Sequence, residues 1–200
     1  MYNEDIENKN GETLEKKQII ETKRLILREL SIDDLDAWYE IFNSNTISKY
    51  LTKYTDKSKL LDLINKKISK YNNSLGSSFS LVLKETNKVI GSFELKHNNM
   101  DNTAEMSYVI NEHYWQKGYA TEGANALLDY AFNYLNVAKV KADCKEHNDI
   151  SIHMLINKLN MKFIKYEKDY MFDEYLNKMV GFNFYELTKN DYMKTYNRNE

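Results

Sequence analysis

The segment Trp115-Gln116-Lys117-Gly118-Tyr119-Ala120-Thr121-Glu122 joins the end of a predicted strand directly to the start of an amphipathic helix. Helix starts present unpaired N–H groups and a partial positive charge, and the small residues Gly118 and Ala120 let an anion approach the backbone. The glycine spacing fits neither a Walker loop nor a three-glycine dinucleotide fingerprint. The segment therefore predicts an anion-binding loop of another kind.

Hydrophobic periodicity on both sides of this loop predicts one mixed α/β sheet domain. Before the loop, a strand at 24–29 is followed by two amphipathic helices, near 35–42 and 58–71, and then by strand-like runs at 79–84, 89–96 and 104–110. After it come a helix at 121–136, a strand at 137–144, a helix at 148–159 and two β-rich segments at 163–172 and 179–187. The three runs before the loop predict an antiparallel meander.

Composition limits the classes of protein that this chain can belong to. It has 200 residues, 42% hydrophobic and 29% charged, which suits one globular domain at 21–188 between a flexible tail at 1–20 and a second tail at 189–200. A net charge of -2 argues against direct nucleic-acid binding. No run approaches 18 apolar residues and the N-terminus is polar, so we expect no membrane span and no secretory signal.

A single cysteine, Cys144, cannot form an internal disulfide and fits a cytoplasmic location. It alternates with Val140 and Ala142, which predicts a small buried side chain instead of a catalytic thiol. The four histidines include no pair at helical i, i+4 spacing and no cysteine partner at metal-site spacing, so we expect no metal site.

The loop resembles the coenzyme loop of the GNAT superfamily of acetyl-CoA-dependent N-acetyltransferases, which runs Arg/Gln-x-x-Gly-x-Gly/Ala. Here it runs Trp115-x-x-Gly118-x-Ala120, so the first position departs from the pattern. The stretch 114–122 is similar to the branch that contains the Rim-type ribosomal-protein N-terminal acetyltransferases. The opening 22–28 and the motif Asn148-x-x-Ser151 also resemble that branch, and the matches together span 22–187.

The resemblance implies a single-domain GNAT-like fold with a mixed, mainly antiparallel central sheet flanked by helices. It also implies acetyl-CoA as co-substrate, no metal, and a homodimer as a candidate assembly. The backbone of the loop would bind the pyrophosphate, the edge of the preceding strand would pair with the pantetheine arm, and the 148–151 motif would also contact the coenzyme. The implied coenzyme-binding residues are Tyr108, Val109, Ile110, Gln116, Lys117, Gly118, Tyr119, Ala120, Thr121, Asn148 and Ser151.

Acyl transfer from a thioester needs a neutral amine, stabilisation of an oxyanion and a proton for the leaving thiolate. Glu105 is our candidate base, because an acid inside a half-buried strand is unusual; the alternative is a surface residue paired with a lysine on the next strand. The backbone N–H of Val109 or Ile110 is the candidate oxyanion donor. Ser151 and Tyr108 are candidate proton donors, although Ser151 could equally be a helix cap.

The functional predictions differ in the amine that accepts the acetyl group. A protein α-amine, with a reference pKa of about 7.7–8.0, is roughly one-sixth neutral at pH 7, whereas a lysine or polyamine amine near 10.4 is neutral in fewer than about one molecule in a thousand. A single modest base therefore suits a protein N-terminus. Two alternatives stay open: acetylation of a small-molecule amine such as a polyamine, an antibiotic or an amino acid, and a non-catalytic CoA-binding or interaction module.

Overall fold

One eight-stranded mixed sheet organises the computed structural model, which describes residues 19–69 and 77–196. Its strand order is β1-β2-β3-β4-β5-β6-β8-β7, and every neighbouring pair is antiparallel except the parallel pair β5 and β6. The strands are β1 (Ile19–Glu21), β2 (Leu25–Glu29), β3 (Ser77–Leu83), β4 (Lys88–Asn98), β5 (Thr103–Ile110), β6 (Lys139–Lys145), β7 (Lys162–Asp173) and β8 (Lys178–Thr188). The predicted mixed sheet and its antiparallel meander β3-β4-β5 are confirmed.

Helices cover both faces of the sheet. They are α1 (Leu35–Phe42), α2 (Lys57–Ile68), α3 (Tyr119–Asp129), α4 (Asp149–His153) and α5 (Lys189–Tyr196). A π-helical turn extends α3 over Tyr130–Tyr134 and another extends α4 over Met154–Lys158. None of the helices in the described ranges is long and apolar enough to cross a bilayer.

Alternation along the strands decides which helices pack on which face. Phe93 and Met106 belong to the main core, together with Leu127 of α3 and Leu155 beyond α4. The residues that alternate with them, such as Glu94 and Ser107, face the other way, beneath α1 and α2. The sheet therefore has an apolar face under α3 and α4 and a more polar face under α1 and α2.

The sequence analysis placed several boundaries differently. Residues 1–18 of the predicted N-terminal tail lie outside the described residues, whereas Ile19 and Ile20 belong to β1. Residues 189–196, which the sequence analysis assigned to a C-terminal tail, form α5, and this helix buries Tyr192 against Phe132 at a ring-centroid distance of 4.7 Å. A mostly polar helix with few core-facing side chains gives little periodic signal, so only the tertiary contact reveals α5.

The second helix buries Leu60 and Ile64. Leu61, the next residue after Leu60, is only half-buried. Ser31 and Asp34 form a capping box at the short 3₁₀ turn Ile32–Asp34, which leads directly into α1.

The parallel strands β5 and β6 separate after a short pairing. Their register joins Thr103 to Lys139 and ends at the pair Glu105 and Lys141. Strand β5 nevertheless continues to Ile110 and β6 to Lys145. The second half of β5 thus has no β6 partner within the described structure, and a cleft opens between the two strands.

Candidate active site

A cleft of about 470 Å³ lies where the free end of β5 meets the starts of α3 and α4. Every residue predicted to bind coenzyme lines it, apart from Lys117. Tyr50 and Leu51, which follow the short helical turn after α1, form the opposite wall and carry no sequence motif that could have identified them. The structure therefore brings three separate sequence segments together at one cleft.

The loop before α3 turns through two left-handed residues. Gln116 has φ +61° and Gly118 has φ +80°, a region that L-amino acids rarely adopt and glycine adopts freely. Gly118 is the N-cap of α3 and provides no capping side chain for the first N–H groups of the helix, those of Tyr119, Ala120 and Thr121. These three residues line the cleft, and N–H groups at a helix start can bind an anion there.

An ion pair that the sequence analysis missed supports this loop from behind. The Arg24 Nε donates to Glu122 Oε2 at 2.6 Å, and the Arg24 Nη1 donates to the Lys117 carbonyl at 3.0 Å. The Thr22 hydroxyl also donates to Glu122 Oε1 at 2.6 Å. Although burial raises the pKa of Glu122, these hydrogen bonds lower it overall, so the carboxylate stays ionised and holds β2 to the start of α3.

Trp115, at the position that departs from the family pattern, anchors the other end of the loop. Its indole Nε1 donates to the Ile110 carbonyl at 2.7 Å. The bond ties the loop to the last residue of β5, and the large side chain packs against the main core. The substitution therefore replaces a polar loop residue by a structural anchor.

The free edge of β5 carries backbone groups in a definite order. The Asn111 N–H donates to the Ile90 carbonyl of β4, and the Val109 carbonyl lies against Gly91 of the same strand. Alternate residues of a strand direct their N–H and C=O groups to the same side, so those of Tyr108 and Ile110 point toward the cleft. Of the two predicted oxyanion donors, the Ile110 N–H faces the cleft and the Val109 N–H faces β4.

Tyr108 and Ser151 form a hydrogen-bonded pair across the cleft. The Tyr108 hydroxyl donates to Ser151 Oγ at 3.1 Å, and its ring stacks on Phe93. Burial raises the pKa of Tyr108 to about 12, so its hydroxyl keeps its proton at neutral pH. Asn148 is the N-cap of α4 and accepts the Ser151 N–H at 3.2 Å, so Ser151 is not the cap and its hydroxyl faces Tyr108.

Glu105 lies apart from this pair. It is exposed on the opposite side of β5 from Tyr108, because the two residues are separated by an odd number of positions. It sits in register between Lys96 of β4 and Lys141 of β6 and does not line the coenzyme cleft. This position favours the surface alternative for Glu105 over the role of base.

Cys144 is buried, and burial raises the pKa of its thiol to about 12, which agrees with the predicted structural role. Within residues 19–69 and 77–196, no three His, Cys, Asp or Glu side chains lie close enough together to hold a metal ion.

Comparison with known proteins gives a consistent family. Residues 24–162 match the model of the acetyltransferase (GNAT) domain. The uncharacterized N-acetyltransferase p20 of Bacillus licheniformis is 29% identical over 86% of this chain and 96% of its own length. The uncharacterized N-acetyltransferase YnaD of Bacillus subtilis is 30% identical over 72% of this chain and 82% of its own length.

Solved structures share the fold. A GNAT-family acetyltransferase from Bacillus anthracis aligns with a TM-score of 0.75 at 24% identity, over 86% of this chain and 99% of its own. The ribosomal L7/L12 α-N-protein acetyltransferase RimL, in complex with coenzyme A, aligns at 0.78 and 13% identity over the same shares. A Vibrio cholerae spermidine N-acetyltransferase in complex with CoA and spermine aligns at 0.74 and 22%, again over 86% and 99%.

Proposed function

This chain belongs to the GNAT family of N-acetyltransferases, and we propose that it transfers the acetyl group of acetyl-CoA to the N-terminal α-amine of a protein. The observation that carries the proposal is the continuity of the 470 Å³ cleft, which joins the helix-start amides, the free edge of β5 and the Tyr108–Ser151 pair. A diphosphate would bind the helix-start amides, an amide-containing arm would pair with the edge of β5, and a thioester would lie beside the Tyr108–Ser151 pair. The acetyl donor is thus better supported than the acceptor.

The residues of the cleft fit the coenzyme by their chemistry. The N–H groups at the start of α3 would bind the diphosphate, with Gln116 and Gly118 shaping the turn. The free N–H and C=O groups of Tyr108 would pair with the amide-containing arm, as an added strand does. When bound, acetyl-CoA supplies an activated acyl group, and the remaining chemistry falls to the side chains and amides around it.

Tyr108 and Ser151 are our candidates for protonating the departing thiolate. The hydroxyl of Tyr108 is protonated at neutral pH and Ser151 is within hydrogen-bond distance of it. The Ile110 N–H would stabilise the oxyanion that forms on the acetyl carbonyl, because it points into the cleft. The amine nitrogen attacks directly, so no covalent enzyme intermediate is required.

The α-amine remains our preferred acceptor because more of it is neutral at pH 7 than of an alkyl amine. RimL, which shares this fold, is named for acetylating a ribosomal-protein α-amine. The small-amine alternative draws on the spermidine N-acetyltransferase with the same fold. Both acceptors are primary amines, so only an acceptor panel separates them.

The test is release of free thiol from acetyl-CoA with peptides that begin with Ser, Ala or Met, in parallel with spermidine and an aminoglycoside. We expect the highest kcat/KM of the whole panel to belong to one of the peptides. Preference for spermidine or the aminoglycoside would replace the proposed acceptor. Stabilisation by CoA without thiol release from any acceptor would support the non-catalytic module instead.

Variants of the hydroxyl pair then test the chemistry. Tyr108→Phe and Ser151→Ala each remove one member of the pair with little change of shape. If one of these hydroxyls protonates the departing thiolate, the variant that lacks it should have a kcat lower by about 10²–10⁴-fold and should still bind CoA with its normal affinity. If both variants keep kcat within threefold, neither hydroxyl is the donor.

Two predictions about the whole protein also need direct measurement. Sedimentation of the purified chain tests the homodimer implied by the family resemblance. Fractionation of cells that express the chain tests the cytoplasmic location inferred from its single cysteine. Neither affects the assignment of the coenzyme cleft.

A further inference from the structure

A second cavity, of about 660 Å³, lies where β5 and β6 separate, and residues from both faces of the sheet line it. It shares Tyr50, Leu51, Tyr108, Asn148 and Ser151 with the coenzyme cleft. The two cavities therefore adjoin at the Tyr108–Ser151 pair. A group held in the second cavity would face the thioester end of the coenzyme cleft.

Asp143 of β6 lies on the wall of this second cavity. The last paired residues of the two strands are Glu105 and Lys141, and Ser107 and Asp143 lie two positions further along each strand, so all four share one side of the sheet. Ser107 and Asp143 both line the cavity, and Asp143 is exposed to it. The carboxylate thus projects into the gap that strand separation creates.

Asp143 differs from Asp173, the other strand carboxylate that lines this cavity. Asp173 is fully buried and accepts the Leu176 N–H at 2.9 Å, and Lys145 lies 2.8 Å from it. Asp143, in contrast, has no hydrogen-bond or ion-pair partner among the residues that the structure describes. A carboxylate in that position is available for a cationic group brought by a ligand.

We propose that the second cavity is the amine-acceptor site and that Asp143 is the base that takes the acceptor's ammonium proton. The inference rests on the proposed acetyl transfer and adds the acceptor's position and the residue that activates it. It applies to any primary amine that reaches the cavity. It also assigns to Asp143 the role that the sequence analysis gave to Glu105.

The protons balance along this route. The acceptor enters as an ammonium ion and gives one proton to Asp143, which frees the nitrogen lone pair. The nitrogen forms a bond to the acetyl carbon, the C–S bond breaks and its electron pair stays on sulfur. The thiolate gains one proton from the hydroxyl pair, the amide nitrogen loses its excess proton to that pair, and Asp143 returns its proton to solvent.

The charges around Asp143 adjust its proton affinity. Burial raises the pKa of Asp143, the negative charge of Glu105 raises it further, and Lys96 lowers it. A raised pKa makes the carboxylate a stronger base at neutral pH. Glu105 would then assist catalysis only through Asp143, as a positioning residue. The other titratable groups that face or line this region are Tyr50, Lys53, Tyr108, Lys141, Cys144, Lys145, Asp173, Glu174 and Tyr175.

The first test compares Asp143→Asn with Asp62→Asn, a matched change at an exposed position of α2. We expect Asp143→Asn to lower kcat/KM by about 10²–10⁴-fold and the control to stay within twofold, with the same CoA-induced rise in Tm in both. Asp143→Glu should recover part of the loss. If the wild type transfers acetyl groups and Asp143→Asn changes kcat/KM by less than threefold, this inference is overturned and the proposed function stands. If the wild type transfers no acetyl group to any acceptor, the proposed function is overturned as well.

Two further measurements separate a base from a structural residue. Titration of the best acceptor into the CoA-bound enzyme should give at least tenfold weaker binding for Asp143→Asn than for the wild type. Glu105→Gln should move the acid limb of the kcat/KM profile to lower pH, because it removes the charge that raises the pKa of Asp143. If Glu105→Gln leaves the acid limb of the kcat/KM profile unmoved, or lowers the rate more than Asp143→Asn does, then Asp143 is not the base.

Discussion

Replacement of Gly118 by valine tests whether the left-handed turn before α3 forms the diphosphate site. Gly118 has φ +80°, and a Cβ there would meet only the Arg24 Nη2, at 3.4 Å, which is an ordinary contact. The cost is therefore conformational, about 1–2 kcal/mol for an L-residue in this region. For a domain of this length that corresponds to a fall in Tm of about 2–8 °C.

Relief of this strain would carry the loop out of the left-handed region and redirect the N–H groups that follow. We expect Gly118→Val to lose the stabilisation by CoA, which for an intact site is about 2.7 kcal/mol at 100 times the Kd. Gly118→Asn is the control, because asparagine tolerates this region and already occupies it at Asn87, Asn102, Asn136, Asn160 and Asn177. The assay is thermal melting with and without CoA.

The two variants give the test its direction. Gly118→Asn should keep most of the CoA-induced shift, while Gly118→Val should show almost none. An undiminished shift in Gly118→Val would mean that the backbone of this turn does not hold the coenzyme. If both variants lose the CoA-induced shift in Tm equally, the added side chain blocks the coenzyme and the backbone conformation is not the cause.

Three further predictions concern stability and pH. Asp34, buried and bound to Arg28 and Ser80, has a lowered pKa despite its burial; its contribution should therefore be lost as pH falls below about 4, and Asp34→Asn should cost about 3–5 kcal/mol in urea unfolding at pH 7. Glu122→Gln should lower the free energy of unfolding by about 1–3 kcal/mol and weaken CoA binding, measured by calorimetry. Tyr192→Ala should cost about 3–5 kcal/mol in thermal melting if α5 belongs to the domain.

Sequence periodicity predicted the elements whose apolar side chains repeat regularly. The meander β3-β4-β5 and the helix after the loop follow from alternation and from the 3.6-residue period, with boundaries shifted by a few residues. Strand β1 and helix α5 escaped because each has few residues in the core and depends on contacts distant in sequence. Local patterns carry no record of such contacts.

The candidate site was predictable to the extent that its residues are close in sequence. The loop at 116–121 and the strand end at 108–110 are local segments, and they line one cleft. The Arg24–Glu122 support was not predictable, because it joins residues 98 positions apart. The face on which Glu105 lies was left open between two alternatives, since an acid in a strand gives no indication of which face meets the cleft.

Separation of β5 from β6 is the structural feature that connects coenzyme binding with acceptor activation. If the two strands stayed paired to their ends, the backbone groups of Tyr108 and Ile110 would bond to β6 and could not pair with a ligand. The same pairing would place Asp143 beside Ser107 and close the second cavity. The parting of one strand pair therefore opens a binding edge on β5 and exposes the carboxylate of Asp143 on β6. A variant that closed this gap should lose CoA binding and acceptor binding together, whereas Asp143→Asn should lose only the acceptor.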